Sequence, residues 1–211
     1  MRQMLYSYLS KILFVGCAMS FAAQGAEDVR IYPAPKGIEL STDFTVAIEG
    51  RQVPVYKTKV PPGDSIPRLS GSRREFGFAS LASFDMRTSV DVTVTCPDAV
   101  KSIKILPTSY GIVPKVHGQT ITITIDKPKH VTVEVNGDWQ ESLHIFANPF
   151  EQSVPEPDDP DVIYFGPGVH EVTNLSVGDN KTVYIAGGAY IRGGMDSDEK
   201  PTQVGLRTML L

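Results

Sequence analysis

Half-cystines, tryptophan and long apolar runs are all scarce in this chain, and each scarcity removes a class of explanation. There are two cysteines, Cys17 and Cys96, and one tryptophan, Trp139. Cys17 falls within an N-terminal segment expected to be removed, which would leave Cys96 without an intrachain partner and stability to a packed core. Cys96 continues the alternation of Val90, Val92 and Val94, so it reads as a small buried hydrophobe and not a nucleophile. The longest uncharged apolar run, Ile12 to Ala23, is shorter than the ~20 residues a membrane span needs. Following Arg2 and Lys11 and preceding Ala23-Gln24-Gly25-Ala26, it matches a secretory signal over residues 1–26. The alternative, a lipoprotein signal ending at Cys17, is disfavoured by Phe14 and by Lys11. Either route exports the protein to the periplasm or the outside. Without Arg2 and Lys11, 18 basic residues face 24 acidic ones, a net charge of −6. That balance excludes a basic footprint for nucleic acid and repels polyanions on average.

Helical periodicity is also missing after residue 26, whereas strand alternation is strong. Ile121, Ile123 and Ile125 share one face and threonines the other, and Val131, Val133 and Val135 repeat the pattern. With Asp126-Lys-Pro-Lys129 between them, residues 119–135 are expected to form a hairpin with one wet face. A second hairpin is expected from Phe44–Glu49 and Gln52–Tyr56 around Gly50-Arg51, with Pro54 placing its second strand at an edge. Phe78–Phe84, Ser89–Cys96, Lys101–Leu106 and Leu143–Phe146 add strands, the last after a turn at Asn136-Gly137. Residues 57–75 lack apolar periodicity and read as a long loop. So many short strands with frequent turns imply an immunoglobulin-like β-sandwich over residues 27–148.

Residues 149–161 are rich in proline and acid and read as a stiff linker. Beyond them a phrase recurs: Val162-Ile-Tyr-Phe-Gly-Pro-Gly-Val-His170 aligns with Val183-Tyr-Ile-Ala-Gly-Gly-Ala-Tyr-Ile191 at an offset of 21. A period near twenty with glycine at the corners is the signature of a solenoid coil. Residues 162–194 are therefore expected to begin a parallel β-helix. About three coils are needed to bury a solenoid core, and 195–211 continue neither the alternation nor the glycines. The expectation is a front end whose tail reflects truncation or a shifted frame.

No residue constellation announces chemistry. Asp158, Asp159 and Asp161 lie among prolines, where a calcium loop would have Gly, Asn or Asp. Glu171 and Asp179 are isolated, and Asp179 sits in a Gly-Asp-Asn turn. His117, His130, His144 and His170 have no metal-ligand spacing, and Ser142, Ser153 and Ser176 no triad pattern. No phosphate loop precedes a helix. No catalytic residue, metal site or cofactor is expected. Asn174-Leu-Ser176 and Asn180-Lys-Thr182 match glycosylation acceptors, which matter only in a host that modifies them. Trp139 is the single carbohydrate-binding candidate, because a flat exposed indole stacks on a sugar; capping the end of a sandwich is the commoner fate of such a residue.

Phe78-Ala-Ser-Leu-Ala-Ser-Phe84, Val90–Thr95, Val100-Lys-Ser-Ile-Lys-Ile-Leu-Pro107 and Leu143-His-Ile-Phe-Ala-Asn-Pro149 resemble the N-terminal module of certain bacterial glycoside hydrolases. Tyr164–His170 and Thr182–Gly193 resemble the entry to their catalytic domain. These are the polygalacturonase-like and dextranase-like enzymes. The resemblance implies an immunoglobulin-like sandwich followed by a right-handed parallel β-helix, and inverting hydrolysis of a pectin- or dextran-type glycan by aspartates of later coils. None of those aspartates has a matching position here. The expected function is thus the exported N-terminal portion of a polysaccharide-degrading hydrolase without the catalytic coils. The alternative is a stand-alone carbohydrate-binding or adhesion sandwich. A calcium-dependent lyase on the same helix is a third reading, unsupported by any acidic cluster on a coil.

Overall fold

The computed structural model describes residues 27–60 and 77–193. The expected signal segment, most of the 57–75 loop and the tail at 195–211 lie outside the described residues. Within them the protein is all-β, and its one helical turn is the three-residue 3-10 segment Thr108–Tyr110.

Two sheets share one apolar core. The first comprises β1 (Val29–Arg30), β4 (Val55–Val60), β5 (Gly77–Met86), β7 (Ile103–Leu106), β10 (Lys129–Val135) and β11 (Asp138–Pro149). It runs β1-β5-β11-β10-β7, with β4 also paired to β5. The second comprises β2 (Thr45–Ile48), β3 (Arg51–Val53), β6 (Val90–Thr95), β8 (Lys115–His117) and β9 (Thr120–Ile125), in the order β3-β2-β6-β9-β8. Alternation explains the packing. Val90, Val92 and Val94 of β6 stand opposite Ile125, Ile123 and Ile121 of β9, and all six are buried. Val131, Val133, Leu143, Ile145, Ala82 and Phe84 close the core from the other sheet. Cys96 is buried with them as a free thiol, and burial pushes its pKa up. The wet faces carry the threonines, where Thr124 donates to Asp91 at 2.6 Å.

The expected 119–135 hairpin is corrected. β9 pairs with β6 and β8, and β10 pairs with β7 and β11 in the other sheet. Asp126, Lys127 and Pro128 form an arch that carries the chain across the core. Both isoleucine and valine faces point inward, but from opposite sides, and alternation alone cannot separate an arch from a hairpin. Pro54 does similar work. Its lack of an N–H ends β3, and the chain switches from the second sheet to begin β4 at the edge of the first. Residues 57–60, assigned above to a loop, are part of β4.

Two of the tight hairpins use left-handed pairs of residues. Glu49 (φ 50°) and Gly50 (φ 77°) join β2 to β3, one residue earlier than the expected Gly50-Arg51 turn. Asn136 (φ 56°) and Gly137 (φ 80°) join β10 to β11. Both fit the primed turns that match strand twist. Asn136 also accepts from the Lys101 and Ser102 backbone N–H groups, at 2.7 and 3.2 Å, and donates to the Ala99 carbonyl.

Beyond Pro149, four short strands pair in parallel: β12 (Val162–Phe165) with β14 (Thr182–Ile185), and β13 (Gly168–Val172) with β15 (Ala189–Gly193). The register refines the sequence alignment. Val162 opposes Thr182, an offset of 20, whereas Gly168 opposes Ala189, an offset of 21. The second corner, Ala186-Gly187-Gly188, has one more residue than the first, Gly166-Pro167. Gly168 N–H donates to Gly188 O at 3.0 Å and Ala186 N–H to Phe165 O at 2.9 Å, so the corners themselves are laddered.

Candidate functional site

Three regions bear on function: the seam between sheets and parallel strands, the acidic groups, and the open half of the first sheet's outer face.

At the seam, tyrosines do the joining. An added Cβ at Gly187 would overlap the Tyr32 ring, so that ring lies directly on the glycine backbone. The Tyr32 hydroxyl donates to Asp85 Oδ2 at 2.5 Å. Tyr56 of β4 and Tyr190 of β15 bring their ring centroids to 6.0 Å, and Tyr184 of β14 donates to Glu151. Tyr164 and Tyr184 stack at 5.0 Å between successive parallel strands. Burial, and then the Asp85 hydrogen bond and charge, push the Tyr32 phenol up to about 12. Burial, and then the Glu151 hydrogen bond, raise the Tyr184 phenol as well. Phe150, buried under the Arg30 and Arg87 guanidinium groups, pins the start of the acidic segment.

Among the described residues the acidic groups show no arrangement for proton transfer. Asp85 is buried, and burial raises its carboxyl against the opposing Tyr32 hydrogen bond. Its only described hydrogen-bond donor is that phenol. Asp159 accepts from the Asp161 N–H at 2.8 Å in a turn, and Asp161 pairs with Lys181 at 2.8 Å. Glu171 pairs with Arg192 at 2.8 Å on the surface. Asp179 precedes Asn180, whose φ of 57° confirms the turn there. Among the described residues no cluster of three His, Cys, Asp or Glu side chains is positioned for a metal ion.

The first sheet's outer face was not singled out from sequence. Its outward positions are His130 and Thr132 on β10 with Ser142, His144, Phe146 and Asn148 on β11. Thr132 Oγ1 lies 2.9 Å from His144 Nδ1, and Ser142 Oγ 3.5 Å from His144 Nε2 while donating to the Trp139 carbonyl at 3.0 Å. This is not a nucleophilic triad. A hydroxyl stands where a carboxylate is needed to support an imidazolium, and burial lowers the His144 pKa. His130 packs edge-on to Phe146 at 4.9 Å. His130 Nε2 lies 3.2 Å from Asn148 Oδ1, and Asn148 donates to Ser83 at 3.1 Å. Leu106 and Pro107 complete an open groove of about 350 Å³ over these strands. The signal available in sequence was parity: these are the positions that alternate with the buried valines and isoleucines.

Trp139 is 54% exposed and does not line the groove. It sits in an irregular stretch of β11, where Val133 opposes Leu143 but Val135 opposes Asp138. Asp138 Oδ1 accepts from the Gln140 and Glu141 N–H groups and holds that bulge. His117 is exposed on edge strand β8, and His170 makes a hydrogen bond with the Gly166 carbonyl across the first corner.

No protein-family model and no curated protein matches the chain. Among solved structures it is similar to Dex49A from Penicillium minioluteum, with TM-score 0.52 and 16% identity. The match covers 79% of this chain and 45% of Dex49A, so this chain spans less than half of that protein's length. At that identity the likeness is one of fold, and the fold of the described residues is all-β. Among the described residues, no helix is long and apolar enough to cross a membrane.

Proposed function

We propose that this chain supplies the immunoglobulin-like sandwich and the opening coils of a right-handed parallel β-helix in an exported polysaccharide-degrading glycoside hydrolase, and that it does not hydrolyse glycan by itself. The observation that carries this reading is the parallel register at offsets of 20 and 21 residues. Adjacent hairpins cannot produce that register, and successive coils of a solenoid do. Right-handedness is the rule for parallel crossovers within one sheet. The fold shared with Dex49A supports the same class. Residues 162–193 hold two carboxylates, Glu171 and Asp179; one is ion-paired and the other sits in a turn. Neither forms the pair of carboxyl groups on rigid elements that glycoside hydrolysis requires. Purified residues 27–211 are expected to release no reducing ends from dextran or polygalacturonate; turnover of either overturns the reading.

A second reading, a free-standing carbohydrate-binding sandwich, draws on the exposure of Trp139. It requires glycan affinity that falls when Trp139 becomes Ala.

A further inference from the structure

We propose that the seam between the first sheet and the parallel strands is a proton-operated clasp, in which uptake of one proton by the Asp85 carboxylate tightens the strands against the sheet. The inference goes beyond the hydrolase reading and does not depend on it. Position, surroundings and sign carry it in turn.

Asp85 lies at the end of β5, level with Arg30 on β1 and Asn148 on β11. It alternates with the core residues Phe84 and Met86, so its side chain leaves the sheet on the outer face. An outward aspartate is ordinarily wet, yet this one is 7% exposed. Tyr32 reaches across it: the hydroxyl donates to Oδ2, and the ring lies on the backbone of Gly187 at the second corner. Carboxylate, phenol and corner form one column. Parting the strands from the sheet frees the outer side of the Tyr32 ring and lets water reach the carboxylate beneath it.

A buried carboxylate persists as an anion only where cations or several donors meet it. Among the described residues, Asp85 has one donor, a neutral phenol. The Arg30 guanidinium acts on it from β1 but is shared with Glu27 at 3.5 Å and with the Phe150 ring at 4.8 Å. Arg87 lies over the same ring at 4.2 Å. On β11, the Asn148 amide donates instead to Ser83 and to the Phe146 carbonyl. Glu27 and Glu151 add negative charge around the site. From the parallel strands come only phenols, Tyr184 bonded to Glu151 and Tyr164 stacked on Tyr184. Burial is accordingly the largest influence on the Asp85 carboxyl and raises it, against Tyr32 and Arg30 and together with Glu151 and Glu27.

The sign follows. The docked state holds the Asp85 proton more tightly than a state in which that carboxyl is wet. Its contribution to docking is complete below the ordinary aspartate value of ~3.9 and is lost as pH rises through the higher, docked value. Tyr32 serves both forms, since a phenol donates to a carboxylate and also accepts from a neutral carboxyl. The clasp closes in acid and eases toward neutrality.

The test is hydrogen exchange followed by NMR from about pH 8 to about pH 4, with each amide's protection taken relative to its intrinsic rate at that pH. Protection over 182–193 should rise as pH falls, by up to about tenfold per pH unit through the Asp85 titration, because one proton is taken up. Protection over 120–147 should stay level. Asp85→Asn imitates the neutral carboxyl and keeps an acceptor for Tyr32. It should remove the pH dependence over 182–193 and hold protection near the acid level at neutral pH. A purely structural need for the anion predicts the reverse, a looser seam in the variant throughout. Carboxyl ¹³C shifts of Asp85 give a second readout on the unaltered protein, with a midpoint expected above ~3.9. Protection that is flat or falls in acid, a variant that titrates like the wild type or loosens 182–193, or a midpoint at or below the ordinary value each overturn the proposal.

Discussion

The sheets at 27–150 and the parallel strands at 162–193 are built from similar residues but held by different forces. Every buried hydrophobic side chain among the described residues lies between Val29 and Phe150. In the parallel strands no described residue reaches that burial, and Ile185 is 51% exposed. The sheets are held by area removed from water, in proportion to the isoleucines and valines they enclose. The parallel strands are held by backbone ladders and by tyrosines docked on the first sheet. Alternation in sequence therefore announces a strand without saying what stabilises it.

The comparison breaks most visibly in the core. Ile145→Ala should cost about 2–5 kcal/mol, a transfer term plus a cavity term, and lower the thermal midpoint of the whole molecule. Gly187→Ala should cost about 1–3 kcal/mol by overpacking against the Tyr32 ring. Its loss should be local: hydrogen exchange should quicken over 182–193 and stay unchanged over 120–147. Equal quickening in both regions would mean that the two are one cooperative unit.

Alkaline pH sharpens the same seam. The native state holds the Tyr32 proton more tightly than the unfolded chain, since its phenol is pushed up to about 12 from an ordinary value near ~10. The stability tied to that proton is complete below about pH 10 and is lost as pH rises through about 12. Tyr32→Phe should weaken this alkaline limb in unfolding curves recorded by exchange at Tyr184 to Gly193, leaving the part that comes from the raised Tyr184 phenol; an unaltered limb would assign it all elsewhere. The smallest effect belongs to Glu171→Gln. Its partner Arg192 is exposed, and such pairs contribute about 0–1 kcal/mol. A melting shift as large as that of Gly187→Ala would show that the surface ion pair, and not the seam, holds the parallel strands.

Much of the fold was legible in the residues, but their pairing was not. Ile121, Ile123 and Ile125 declared a buried face, Cys96 its continuation, and Asn136-Gly137 a tight turn. Yet the arch at Asp126–Pro128 reads the same as a hairpin loop, because both deliver an inward-facing strand to the same core. The glycine-cornered repeat declared its period but not the extra residue in its second corner, which only the hydrogen bonds of Gly168 and Ala186 locate. Tyr32 and Gly187 meet across most of the chain, and no local pattern encodes that contact. The groove stayed hidden for a similar reason. His130, Thr132, His144 and Phe146 occupy the wet positions of two strands, which look like ordinary solvent-facing residues until β10 and β11 are laid side by side.

The parallel register is the feature on which all of this turns, and cross-strand nuclear Overhauser effects test it directly. Backbone contacts between Tyr164 and Tyr184 and between His170 and Ile191 are the expected result. Antiparallel contacts between 162–165 and 168–172 across Gly166-Pro167, with none reaching 182–193, would contradict it.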